Sequence, residues 1–332
     1  MKPMPAEDQR SFFTALLGDG RSLLSLTGTA LFLSGIFGIL QSISGYLLPH
    51  DSQAIGMDAT ALSHAGNRHL VHFMFHDRVA FCGTLFAIGA AYWWLAEFPL
   101  KDGRAWAWWA YVISGATGFL SFLAYLKFGY LDVWHAWATL LLLPTFIAGV
   151  VRARSCIPGP LHIRQAWSKS WAESASAKFG RLLIQACAAG LTLAGITIVA
   201  VGMTVVFVPQ DLAFMHLSRT QLEAISPMLI PVVAHDRSGF GGGLLSAGLL
   251  IAIIARNAPL TRSFVEVIGI MGFCGFGAAL GVHVAIGYLD FTHLAPAYAG
   301  LLLFATGLGL CVAGLPRRRH SEIFESPAQL PT

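Results

Sequence analysis

The chain has 332 residues, 55% of them apolar and only 11% charged, with a formal net charge of +4. A soluble protein carries about a quarter charged residues, so most of this chain lies where an ionised group cannot be solvated. Its basic residues sit in short segments between apolar runs and not in one groove-sized patch, which excludes a nucleic-acid partner.

In chain order, residues 1–22 carry Glu7, Asp8 and Asp19 and lead into an apolar run too long for the core of a cleavable signal. A membrane-crossing helix needs about 20 mostly apolar residues. The first four-helix unit, 23–153, holds runs at 24–48, 79–98, 106–127 and 134–153. A polar connector follows at 154–182. The second unit, 183–314, holds runs at 183–208, 238–256, 265–286 and 294–314, before a tail at 315–332. No run alternates as a membrane β-strand would, and helices alone then satisfy the backbone in lipid. The expected fold is all-α: a polytopic integral membrane protein with eight transmembrane helices. The five cysteines form no CxxC pair, so a thiolate metal site is not expected.

Eight spans place both termini on one side. That side holds sixteen of the 21 basic residues, leaving Arg68, Arg78, Lys127, Arg219 and Arg237 on the other. The positive-inside rule puts the termini and the connector in the cytoplasm of a bacterial-type inner (plasma) membrane. The histidines divide the other way. Only His162 and His320 are cytoplasmic, and the remaining ten lie on or near the outer side.

The two units repeat each other. HDRVAFCGTLFAIG at 76–89 matches HDRSGFGGGLLSAG at 235–248, GYLDVWH at 129–135 matches GYLDFTH at 287–293, and Pro49-His50-Asp51 matches Pro209-Gln210-Asp211. The offset is 158 to 160 residues throughout, as a tandem duplication gives. Two four-helix bundles with the same orientation would be related by a pseudo-two-fold along the membrane normal. Asp51/Asp211, His76/His235, Asp77/Asp236, Arg78/Arg237, Asp132/Asp290 and His135/His293 recur, each at the outer end of a span.

The plainest reading makes Asp132 and Asp290 helix N-caps and the Asp-Arg pairs interfacial ion pairs with the arginines reaching to headgroups. It accounts less well for the histidines, because ionisable groups near the membrane usually have a function. His69, His72 and His76 also share one helical face, where Met228 and Pro231 stand in the second unit. A second reading is haem b held between axial imidazoles, His76 with His135 and His235 with His293. Arg78 and Arg237 would then hold propionates, while the aspartates orient ligands or carry protons. In this arrangement the chain resembles the haem A synthase family, which has eight spans in two four-helix halves and a His on the second and fourth span of each. The resemblance covers most of the chain in topology and implies a membrane oxidoreductase. Phe73 stands where that family has a Glu, and Asp77 separates His76 from Arg78.

A third reading is a non-haem Zn, Fe or Mn site on Asp51, His76 and His135 or their counterparts, with His72 as a further ligand. Such a site would serve a metal-dependent membrane enzyme acting on a lipid or quinone-like substrate. The expected partners are the bilayer and membrane subunits or quinone. A transporter ranks behind these, because the recurring polar residues lie at one face and not at the midplane.

Overall fold

The structure is a computed structural model that describes residues 11, 17–121, 130, 133–159, 161 and 173–316, the side chains of Trp134 and His135 excepted. Among the described residues it is all-helical. The first half contains α1 (Arg21–Ser44), α2 (Pro49–Ile55), α3 (Ala59–Ala65), α4 (Arg68–Glu97), α5 (Ala105–Ser121) and α6 (Val133–Ala153). The second contains α7 (Ala175–Met203), α8 (Pro209–Met215), α9 (Arg219–Ile225), α10 (Leu229–Asn257), α11 (Arg262–Ile286) and α12 (Phe291–Ala313). Seven of these helices are long and apolar enough to cross a membrane, as a multi-pass membrane protein requires. The run expected at 106–127 appears as the 17 residues of α5, which reach the last described residue of that segment.

Two boundaries differ from expectation. The spans expected at 79–98 and 238–256 start much earlier, because α4 and α10 run for 30 and 29 residues. A hydropathy window stops at a His-Asp-Arg triplet, since isolated charges are costly in an apolar helix. Here the charges are paired, so the helix continues through them. The Asn67 side chain accepts the Leu70 N–H at 3.0 Å and caps α4 a full two turns before His76. Pro231 falls in the first turn of α10, where a missing N–H costs nothing.

The segments between the first two long helices of each half also fold. Each forms two seven-residue helices, the first opened by Pro49 or Pro209, whose fixed φ suits a first helical position. These short helices close one end of the bundle, and the halves interlock there: Asn67 Nδ2 donates to the Met215 carbonyl at 2.7 Å, and Ser226 Oγ to the Ile55 carbonyl at 3.0 Å.

The buried pair at the centre is α4 and α10. In these helices 78% and 72% of the apolar window is buried, against 22% in α1 and 17% in α12. Each packs on the first helix of its own half, α4 on α1 and α10 on α7. The third helices cross over: α5 lies on α10, and α11 lies on α4. Separate four-helix bundles are therefore not what the chain builds, and the halves are interleaved. Several close approaches recur at nearly one offset. A side chain on Gly35 would strike the Cys82 carbonyl, and one on Gly195 the Gly241 carbonyl. Gly115 faces Phe146 just as Gly272 faces Phe304. At the opposite end of the bundle, Arg21 donates to the Ala96 carbonyl and Arg181 to the Ala255 carbonyl.

Candidate metal centre

At the end closed by the short helices, α4 and α10 carry His76-Asp77-Arg78 and His235-Asp236-Arg237 to the molecular centre. Arg78 donates through Nε to Asp236 Oδ2 at 2.8 Å, and its Nη2 lies 2.5 Å from Asp51 Oδ2. Arg237 donates through Nε to Asp77 Oδ2 at 3.2 Å and through Nη1 to Asp211 Oδ2 at 2.6 Å. Each guanidinium thus joins the short-helix aspartate of its own half to the long-helix aspartate of the other. Tyr130 donates to Asp51, and Tyr288 donates to Asp211 Oδ1 at 2.9 Å. Asp51, Asp77, Asp211 and Asp236 all have side chains no more than 8% exposed. Buried charges persist only when paired and hydrogen-bonded, and these are.

Arg237 Nη1 also donates to the Val206 carbonyl at 2.6 Å. Val206 holds a left-handed backbone, φ 65°, while buried in the core. That conformation costs a β-branched residue on the order of 1–3 kcal/mol. It turns the carbonyl inward and gives the guanidinium an acceptor that a regular helix end would have pointed elsewhere. Asp211 lies on α8, outside the long helices. Burial works to raise its carboxyl pKa, but the Arg237 charge, the Arg237 hydrogen bond and the Val208 N–H outweigh it and hold it below the ordinary carboxylate range. Burial, and then the Asp211 charge, push the Tyr288 phenol well above its ordinary range, which keeps it a hydrogen-bond donor.

Beside this network three imidazoles converge. One ring nitrogen each from His76, His283 and His293 lies within 4.8 Å of the others. His76 Nδ1 is 2.7 Å from the Phe73 carbonyl, and His283 Nδ1 is 2.6 Å from the Ala279 carbonyl. A carbonyl only accepts, so both Nδ1 atoms carry the proton and both Nε2 atoms are left as lone pairs in the neutral ring. His283 Nε2 is buried with no hydrogen-bond partner among the described residues. His76 Nε2 faces Asp77 Oδ1 at 3.3 Å. A lone pair facing a carboxylate is repulsive, so a proton or a metal ion belongs on that nitrogen. His293 stacks on Tyr288 with ring centroids 4.6 Å apart, and its own N–H is capped by Asp290 at 2.7 Å. An Nδ1–H fixed on a carbonyl with Nε2 aimed inward is the usual posture of a metal-bound histidine.

The charge balance favours a cation here. Among the described residues the network sets four carboxylates against two guanidiniums, so the balancing charge falls to a bound cation or to the imidazoles of His50, His76 and His235, each within 3.5 Å of one of the carboxylates. The plain alternative is an imidazolium on His76 paired with Asp77. It satisfies that one contact and leaves His283 Nε2 as it is.

The structure rearranges the residues expected from sequence. His76 meets His283 and His293 of the other half. His135, by its side chain, and Asp132 lie outside the described residues. His235 lies against Tyr130 and Asp236, with ring centroids 5.3 Å apart and an Nδ1–Oδ1 distance of 3.0 Å, while His293 belongs to the three-histidine group, so the expected His235–His293 pair is not formed. Asp51 faces Arg78 and Tyr130 and is not placed as a ligand beside His76. His72 accepts from Arg68 Nε at 3.2 Å and stands outside the three-histidine group. Asp290 does what the plainest reading expects and caps α12. The Asp-Arg pairs, in contrast, are neither interfacial nor internal to one helix.

The haem pair expected on His76 and His135 rests on a side chain outside the described residues. Each arginine that was to hold a propionate is already shared by two aspartates. The His76 and His283 rings stand edge to face at 5.1 Å and the His283 and His293 rings are 5.2 Å apart. Sequence reasoning passed over His283, Tyr130 and Tyr288. Both tyrosines lie inside the repeated GYLD motif and were legible there, whereas His283 has no counterpart, since Tyr125 stands at the matching place.

Comparison with protein-family models, with curated proteins and with solved structures returned no match for this chain.

Proposed function

We propose that the protein is a membrane metalloprotein of eight spans, built from two related units, that holds one divalent transition metal on His76, His283 and His293. The observation that carries this reading is the convergence of three imidazoles, two with Nδ1–H tied to backbone carbonyls, beside a network whose carboxylates outnumber its guanidiniums. Three neutral imidazoles without a thiolate suit Zn(II), Fe(II) or Mn(II) better than copper(I) or an iron–sulfur cluster. Three protein ligands leave a coordination position for water or substrate, as catalytic sites do. The buried Asp/Arg network then serves as the frame that fixes α4 against α10, with Tyr288 packed on His293 to orient it. The shared offset of the recurring contacts supports the duplication, and the positive-inside count supports a bacterial-type inner membrane with cytoplasmic termini and the metal on the outer side.

The test is elemental analysis of the full-length protein purified in detergent, followed by replacement with Co(II). One metal per chain, with visible Co(II) bands that disappear in His283→Ala and survive in His72→Ala, is the expected result. A protein that carries no stoichiometric metal and takes up no Co(II) would overturn the reading and leave His76 as an imidazolium paired with Asp77.

A further inference from the structure

The Arg78 side of the network differs from the three-histidine side in what adjoins it. A cavity of about 400 Å³ opens between α1, α4, α6 and α10, with Arg78, His235, Asp236 and Gln41 at its polar end. Ser34, Phe81, Leu85, Ala138 and Gly239 form a waist that this cavity shares with a second, of about 110 Å³. The second continues between α4, α5 and α10 past Leu31, Ile88 and Phe119. Its polar atoms are occupied with one another: Tyr92 Oη and Ser114 Oγ are 3.0 Å apart, and Ser246 Oγ donates to the Ser114 carbonyl at 3.1 Å. What it presents inward is therefore hydrocarbon. The mouth of the larger cavity is apolar too, since Leu33 and Phe37, 57% and 51% exposed, line it from the outer face of α1.

The hydrogen-bonding capacity that Arg78 brings to the polar end is a donor. Asp236 accepts from Arg78 at Oδ2 and faces His235 Nδ1 at 3.0 Å with Oδ1, while Asp51 accepts from Tyr130 at Oδ1 and meets Arg78 through Oδ2 as an ion pair. Arg78 Nη1 is buried with no hydrogen-bond partner among the described residues. The site therefore offers an N–H to an acceptor. An anionic head is disfavoured, because Arg78 is already outnumbered by two carboxylates. A cationic head finds both oxygens of Asp236, the carboxylate that lines the cavity, already engaged.

We propose that this paired cavity binds a neutral, single-chain lipid whose head carries a carbonyl oxygen, the chemistry shared by long-chain quinones and fatty esters, entering sideways from the bilayer between α1 and α6. The carbonyl accepts from Arg78 Nη1. The chain passes the waist at Ser34 and Ala138 and ends beside Phe119. The site is distinct from the three histidines and does not depend on their metal.

The experiment uses full-length protein in phosphatidylcholine nanodiscs and 4-dodecylbenzophenone, a neutral diaryl ketone that cross-links where its carbonyl rests. Labelling is expected within 33–41, 78–85 and 235–239. A decyl-substituted benzoquinone should compete it away, and dodecanoate should not. Ser34→Phe, at an exposed helix position that lines the waist, should lower the yield at least fivefold, while Leu26→Phe, exposed on the same helix away from the cavity, leaves it unchanged. Labelling should persist in His283→Ala, which separates this site from the metal centre. Equal labelling in Ser34→Phe and Leu26→Phe, or label spread over all lipid-facing helices, would overturn the proposal. Competition by dodecanoate as effective as by the benzoquinone would overturn the assignment of a neutral head.

Discussion

Arg78 and Asp236 stand 158 residues apart in the chain and 2.8 Å apart in space, and Arg237 with Asp77 makes the same bond in the opposite sense across 160 residues. Two identical triplets on two crossing helices thus neutralise each other where neither could neutralise itself. Within one helix, successive residues point in different directions, so Asp77 cannot fold back on Arg78. The partner helix supplies what the helix's own geometry denies.

Removing one member of this frame should be far worse than removing a matched pair. Arg237→Gln is expected to lower unfolding free energy by about 3–5 kcal/mol, because it leaves Asp77 and Asp211 buried without their cation. Adding Asp77→Asn to that variant should restore part of the loss. Thermal unfolding in detergent, run on the wild type, both single variants and the double, measures the coupling. Additive losses would show that the two residues do not interact.

Acid should act on this frame late. The folded-state pKa of Asp211 is depressed, so its contribution to stability is fully present above the ordinary carboxylate value of about 3.9. It is lost only as pH falls through the lower folded value. The stability difference between wild type and Asp211→Asn should therefore be constant from pH 7 to about 5 and shrink as pH drops below about 4. Melting curves across that range check the sign, and a difference that grows on acidification would reverse it.

The histidines should separate by group. His76→Ala, His283→Ala and His293→Ala are each expected to weaken metal retention by at least tenfold, as loss of one of three ligands should. His235→Ala, which removes a ring held by Asp236 and Tyr130, should keep the metal. Competition with a chelator of known affinity reads the difference directly.

Asp290 should show the reverse pattern. It accepts the His293 backbone N–H and the Thr292 hydroxyl at the start of α12, so Asp290→Ala should lower the melting temperature by losing the cap. Asp290→Asn should recover most of that, with the ligand number at the metal unchanged in both. Loss of metal with stability retained would make Asp290 a ligand and not a cap.

Much of this was legible in the amino-acid order, and the part that was not has a physical cause. The repeated His-Asp-Arg triplets and Pro-x-Asp turns single out the aspartates and arginines of the network, because pairing requirements keep those positions fixed, although they read as interfacial pairs or ligand-orienting groups and the GYLD tyrosines went unassigned. The partner of each residue was not legible. A repeat at constant offset is compatible with each half closing on itself or with the halves exchanging partners, and only the crossing of α5 and α11 decides between them. Helix starts were misjudged for a related reason, since hydropathy treats Asp77 and Arg78 as lone charges and starts the span only after them. His283 was counted only among the outer-side histidines and not as a ligand, being one imidazole in an apolar run with no counterpart in the first unit.

The exchange of partners sets a waiting time during synthesis. When α4 has been made, Arg78 has its Asp51 but not Asp236, which is 158 residues further along the chain. At about 5–20 residues per second, the ribosome needs roughly 10–30 s to deliver it. Through that interval the first half sits in or beside the insertion machinery with a half-neutralised guanidinium and an unmatched Asp77. A nascent chain stalled before α10 is thus the form most exposed to membrane quality control, and the arrival of α10 releases α4 from it.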